Sequence, residues 1–306
     1  PEQDNFAAQI GLFYARVVDE WGIQLQVSGH RPEALRCFDE VVQLNPASVS
    51  GRVNQSYDEQ LAQGKKATIQ PAKNVAKSME QYNGNWTELL RLDGPIDEPS
   101  FRSELGLQLA NGWNYRQAIQ EFNRVRTIVP DDARVPLQIA QTLVNIATYT
   151  NGLALLLPYR ECYAMALTNI DAVLKTYPNE RFALFLKSFA LMQMKAYDRA
   201  IEPLTQILNE PSQTNNNNNV VVQLNRAISY YKIGNYDAAK ADYEAVGRVV
   251  PKAYQVYYGL AEIAYHEKDK PAAIKNYELY LTNAPANTDE AKLVTARLKE
   301  LKSGAP

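Results

Sequence analysis

The chain has 306 residues, 46% hydrophobic and 22% charged, the proportions of a sequence that buries a core rather than staying disordered. Its 32 Lys and Arg against 34 Asp and Glu leave a formal charge of −2, so it carries no basic footprint for nucleic acid. It has no run of about 18 apolar residues that would insert in a membrane, and its few Cys and His (Cys37, Cys162, His30, His266) are too scattered for a zinc site.

The chain begins at Pro1 with no signal-peptide pattern, which reads as a mature or excised piece of a longer protein. Cytoplasmic and extracytoplasmic settings both stay open. Residues 1–48 read as an N-terminal helix extension and a first helix pair. Phe6, Ile10 and Phe13 lie at helical spacing over Asp4–Tyr14 and lengthen the first helix. Residues 49–98 read as a divergent helical unit. It has a helix over Val49–Gln63, a second near Pro71–Tyr82 and a turn or two at Trp86–Leu92.

Residues 99–287 read as an array with units near 99–132, 133–180, 181–219, 220–253 and 254–287. The unit 133–180 holds an insertion, Thr150–Pro158, with Leu153, Leu155, Leu156 and Leu157. These leucines either fold back over the helices or form an edge for a partner or for self-association. Residues 212–219, SQTNNNNN, read as a solvated, disordered loop. Residues 288–306 read as a capping helix and tail. Asn287 or Thr288 caps its start, Val294, Leu298 and Leu301 form an apolar stripe, and Arg297 lies off it.

One constellation recurs through these units: a small residue, Ala twelve positions on, a bulky residue four later, and Pro eight further. It reads Gly22, Ala34, Phe38, Pro46. It returns as Gly106, Ala118, Phe122, Pro130, as Ala227, Ala239, Tyr243, Pro251, and as Ala261, Ala273, Tyr277, Pro285. Looser copies run through Ser188, Ala200 and Leu204, and through Ala140, Ala166 and Ile170. The logic is steric. Small residues let two helices approach, the bulky residue fills the space beside them, and Pro ends the second helix. Ser28-Gly29, Asn111-Gly112 and Gly234-Asn235 supply the turns.

At these residues the chain resembles the tetratricopeptide repeat (TPR) family, most closely at Glu20–Pro46 and Asn225–Pro251. The resemblance implies an all-α fold, a right-handed α-solenoid of stacked helix-turn-helix repeats with a C-terminal capping helix. It also implies that first helices line a concave groove where protein segments bind. Inward positions would then be Phe182, Phe185, Phe189, Met192 and Gln193; Val221, Leu224, Asn225, Ile228, Tyr231 and Lys232; and Gln255, Tyr258, Glu262, Tyr265 and His266. Upstream positions are Leu107, Asn111, Leu137, Gln141 and Asn145. Helical spacing leaves Phe182, Phe185 and Phe189 open between groove and core.

Some family members clamp a terminal carboxylate with Lys, Asn and Arg. Asn225 matches that Asn, but Gln255 and Gly259 stand where Lys and Arg would be expected. Others grip peptide backbone with a run of Asn. Asn54 and Asn225 occupy that position, while Glu20, Glu104, Gln138, Leu186 and Gly259 break the series. No phosphate loop, nucleophile elbow or dinucleotide fingerprint is present. The expectation is therefore a non-enzymatic scaffold with no catalytic, cofactor-binding or metal residue and no cofactor, binding an unidentified protein or peptide through an aromatic-rich groove. The alternative is a structural or assembly domain of a larger, membrane-anchored protein that acts through homotypic contacts.

Overall fold

The computed structural model describes residues 2–210, 216–286 and 288–303. The secondary structure of the described residues is all helix, joined by turns and loops with no strand, and no helix among them is long and apolar enough to cross a membrane. The chain divides into two compact units, residues 1–162 and 163–306. In the first lie α1 (Glu2–Val27), α2 (Arg31–Leu44), α3 (Val49–Ala62), α4 (Ala72–Ser78), α5 (Trp86–Leu92), α6 (Pro99–Asn111), α7 (Tyr115–Ile128) and α8 (Arg134–Thr150). Helix α9 (Tyr159–Thr176) spans the division. The second unit continues with α10 (Arg181–Gln193), α11 (Tyr197–Asn209), α12 (Asn216–Lys232), α13 (Tyr236–Val249), α14 (Tyr254–His266), α15 (Lys270–Asn283) and α16 (Asp289–Ser303).

Helices pair along the chain: α1 with α2, α6 with α7, α10 with α11, α12 with α13 and α14 with α15. The recurring residues lie at the centre of these pairs. Ala34, Ala118, Ala200, Ala239 and Ala273 have no exposed surface, nor do Phe38, Phe122, Leu204 and Tyr277. Between the two helices of each pair, one residue takes the left-handed backbone conformation. It is always seven positions after the small residue: Gly29, Trp113, Lys195, Gly234 and Lys268. Only two of the five are Gly. In the pair α6–α7 the left-handed residue is Trp113 (φ 64°), while Gly112 is an ordinary C-cap (φ −84°).

Side chains close the free amides at several helix starts. Ser48 accepts from Gly51 N at 3.0 Å, Asp269 from Ala272 N at 3.1 Å and Thr288 from Ala291 N at 3.1 Å. Thr288 therefore caps α16; Asn287 and the tail 304–306 lie outside the described residues. The expected loop 212–219 is corrected in part. Helix α12 already begins at Asn216, and Asn219 accepts from Arg181 Nη2 at 2.9 Å, a tertiary anchor that outweighs the low helix propensity of Asn. Residues 212–215 lie outside the described residues.

The stretch 63–98 departs from helix pairing. Helix α3 packs against α2, but no second helix of comparable length follows it. The short α4, a 3-10 turn at Glu80–Tyr82 and α5 build a small core instead, with Val49, Val75, Met79, Leu89, Ile96 and Phe101. A hollow of about 630 Å³ remains beside α3, lined by Val53, Tyr57, Asn74, Val75 and Phe101 among others.

Candidate functional site

In the second unit the candidate residues fall on α10, α12 and α14. Phe182 is 43% exposed, while Phe185 and Met192 lean on the core of Leu184, Leu191 and Leu204, and Phe189 is half-buried. On α12, Asn225, Ile228 and Tyr231 are half-buried. On α14, Tyr258 is half-buried, Glu262 is buried, and Tyr265 and His266 are exposed.

The α12 and α14 candidates meet. The Tyr231 ring stands 5.8 Å from Tyr236 and 6.1 Å from His266, and His266 stacks on Tyr236 at 5.4 Å. Tyr258 packs against Tyr280 at 5.6 Å. Ring pairs at these separations add to apolar burial and fix the rings in place. The Tyr231 hydroxyl is 3.5 Å from Glu262 Oε2, and burial first, then the Glu262 charge, push its pKa up to about 12. Burial likewise raises the Tyr258 hydroxyl. The face therefore presents neutral phenols across the physiological range. Phe182, Phe185 and Phe189 contribute to a different stretch of the unit and are not part of this ring cluster.

Arg297 of α16 reaches into the cluster. It ion-pairs with Glu262, lies 3.3 Å from the Tyr277 hydroxyl and stacks over the Tyr265 ring at 5.2 Å. Tyr277 also donates to Glu262 at 2.6 Å. This carboxylate is thus satisfied within the chain, and its role is to tie α14, α15 and α16 together. The sequence held a trace of this contact. Arg297 is three residues after the buried Val294, on the flank of the apolar stripe rather than opposite it.

In the first unit, Leu107, Leu137, Gln141 and Asn145 are half-buried and Asn111 is exposed. A second cluster there was not visible in the sequence. The Asn54 carboxamide donates to Asp19 Oδ1 at 3.0 Å and to Pro95 O at 3.1 Å, and accepts from Asp97 N at 3.0 Å. The fully buried Asp97 carboxylate takes Gln26 Nε2 at 3.1 Å and Arg124 Nε at 2.9 Å, with further bonds from Arg102 and Arg124. Asp19 is also fully buried, and its Oδ2 has no hydrogen-bond partner. Burial pushes its pKa up to about 7 against the hydrogen bonds of Asn54 and Ser50, with Asp93 and Glu20 adding to the rise. Apart from the Arg102–Asp97 bond, five residues apart, these contacts join residues 27 to 71 positions apart in sequence, beyond the reach of any local pattern.

Among the described residues, no group of three or more His, Cys, Asp or Glu is arranged to hold a metal ion. Cys37 is half-buried and Cys162 buried, and both are free thiols.

Residues 224–288 match the family described as tetratricopeptide repeat. No curated protein is a significant sequence match. Among solved structures, the chain is similar to PilW, a widely conserved type IV pilus biogenesis factor. That match is at 14% identity and TM-score 0.53, over 68% of this chain and 87% of that one. It is also similar to the MamA protein at 14% identity and TM-score 0.51, over 60% of this chain and 91% of that one. At such identities the likeness speaks to the fold alone. Residues 224–288 are thus tetratricopeptide-repeat sequence, and the same steric constellation is buried in pair after pair elsewhere in the chain.

Proposed function

We propose that this chain is a protein-interaction scaffold, and that its second unit binds an extended or helical protein segment across the face of α12 and α14. The observation that carries the reading is the contact of Tyr231 on α12 with His266 on α14, two successive first helices, with Tyr258 half-buried and Tyr265 exposed on the same α14. Such rings offer large contact area at low entropic cost, and burial keeps the Tyr231 and Tyr258 hydroxyls neutral. Asn225 and Ile228 extend the same helix face toward its N-terminal end. The scaffold reading needs no chemistry from the chain, only a rigid display of side chains.

The test uses a peptide ligand selected from a display library against the whole chain. Tyr231→Ala and Tyr265→Ala should each weaken its binding about tenfold or more, the loss expected of buried aromatic anchors. Lys240→Ala, an exposed change on α13, should leave it unchanged. Equal affinity in folded tyrosine variants would defeat the assignment.

A second reading, an assembly module acting through homotypic contacts, is favoured by one observation. Leu153 and Leu156 are 73% and 78% exposed in the insertion after α8, beside the exposed Trp113 and Tyr149. Light scattering decides it: a concentration-independent monomer, unaltered by Leu156→Asp, speaks against self-association.

A further inference from the structure

The segment between α5 and α6 crosses the first unit as a ligand would. It is non-helical over Gly94–Glu98, and it is held through its backbone. Ser50 donates to Asp93 O at 3.0 Å and Asn54 to Pro95 O at 3.1 Å, while Asp97 N donates back to Asn54 at 3.0 Å. A carboxamide that donates to one peptide group and accepts from another reads an extended backbone without reading its side chains. Asp19 sets the orientation of that carboxamide by accepting from its Nδ2. Side-chain recognition falls at three places, the first being the buried Asp93 carboxylate, which accepts from Val49 N. Ile96 is buried in the core of Val75 and Phe101, and the Asp97 carboxylate is enclosed by Gln26, Arg102 and Arg124. The two guanidiniums approach from α6 and α7, a fork geometry suited to a carboxylate. Gly94 lets the segment seat. Its φ is +112°, and a Cβ there would stand 3.0 Å from Asp19 Oδ2.

We propose that Gln26, Asn54, Arg102 and Arg124 form a peptide-recognition site that the chain's own Gly94–Asp97 segment fills in cis, and that it accepts in trans an extended peptide bearing a carboxylate in the place of Asp97. This stands apart from the α12–α14 face, because it concerns only residues of the first unit. The tethered segment competes at an effective concentration in the millimolar range, so the site is closed to weak ligands until the segment lets go.

The experiment uses the full chain and a fluorescein-labelled peptide of residues 91–98, read by anisotropy. The Asp97→Ala chain weakens the cis ligand and should bind the peptide saturably, at least tenfold more tightly than the unaltered chain does. A peptide with Ala in place of Asp97 should not bind. Absence of saturable binding to an Asp97→Ala chain with unchanged helical circular dichroism overturns the proposal. Should that variant fail to fold, hydrogen exchange on the unaltered chain decides. A Gly94–Asp97 segment that releases on its own gives an Asp97 amide exchanging at least tenfold faster than those of Tyr57 and Phe122. Equal protection of the three makes the segment plain core and overturns the proposal.

Discussion

Gly259 is where the steric account can be tested most sharply. It lies on α14, facing the Tyr243 ring of α13, and a Cβ added there would stand 2.2, 2.4 and 2.7 Å from three ring carbons. The ring is 3% exposed and has no room to retreat. Overpacking of this kind costs about 1–3 kcal/mol. The same substitution gains about 1 kcal/mol of helix propensity. Gly259→Ala should therefore fail to stabilise, destabilising by up to about 2 kcal/mol net. Gly11 of α1 is the control, because a Cβ there meets nothing within 4 Å. Gly11→Ala should stabilise by up to about 1 kcal/mol. Urea unfolding followed by circular dichroism measures both, compared by midpoint because a repeat array need not unfold in one step. Removing the ring completes the cycle: in a Tyr243→Leu background, Gly259→Ala should lose most of its penalty. If Gly259→Ala stabilises as Gly11→Ala does, close helix approach at this residue is not what holds the pair together.

Three further outcomes follow from named contacts. Asp19 has a native pKa raised to about 7, so the native chain holds its proton more tightly than the unfolded chain. Its contribution to stability is greatest in acid and disappears as pH rises through about 7. Between pH 5 and 8 the unaltered chain should lose about 2–3 kcal/mol relative to Asp19→Asn, read by urea midpoints at each pH; parallel profiles would refute the burial argument. Arg297→Met leaves Glu262 buried without its cation and should cost about 2–3 kcal/mol, less than a fully buried pair because Arg297 is 29% exposed. Adding Glu262→Gln should recover part of that loss in thermal melts, and a strictly additive pair would contradict the assigned contact. Lys268 holds φ +60° between α14 and α15, so Lys268→Gly should raise the melting midpoint by the equivalent of about 1 kcal/mol.

The repeat was legible because its determinants are local and steric. A small residue, an alanine and a bulky side chain at fixed spacing say which helix faces meet, and Gly22, Ala34 and Phe38 are buried together for that reason. Gly259 was legible only in part. By spacing it interrupts an Asn series, whereas in the folded chain it makes room for Tyr243. The left-handed turn position was masked by chemistry, since Trp113, Lys195 and Lys268 occupy a conformation that sequence reading assigns to Gly. The contacts that close each unit depended on distance along the chain. Arg297 and Glu262, and Arg124 and Asp97, lie far apart in sequence; the place of Arg297 beside the apolar stripe of α16 marks it as partly buried, but no local pattern names its partner or pairs Arg124 with Asp97. The Asn54 position matches one that grips backbone in the family the sequence resembles; that it grips this chain's own Pro95 and Asp97 is visible only in the fold.

The scaffold reading is tested most directly by photo-crosslinking in the native host, with a benzophenone amino acid placed in turn at Tyr231, Tyr265 and Lys240. The account predicts one common protein adduct from the two tyrosine positions, mapped to a short contiguous segment of that protein, and no such adduct from Lys240. Adducts from Lys240 alone, or none from either tyrosine position in a folded chain, would contradict it.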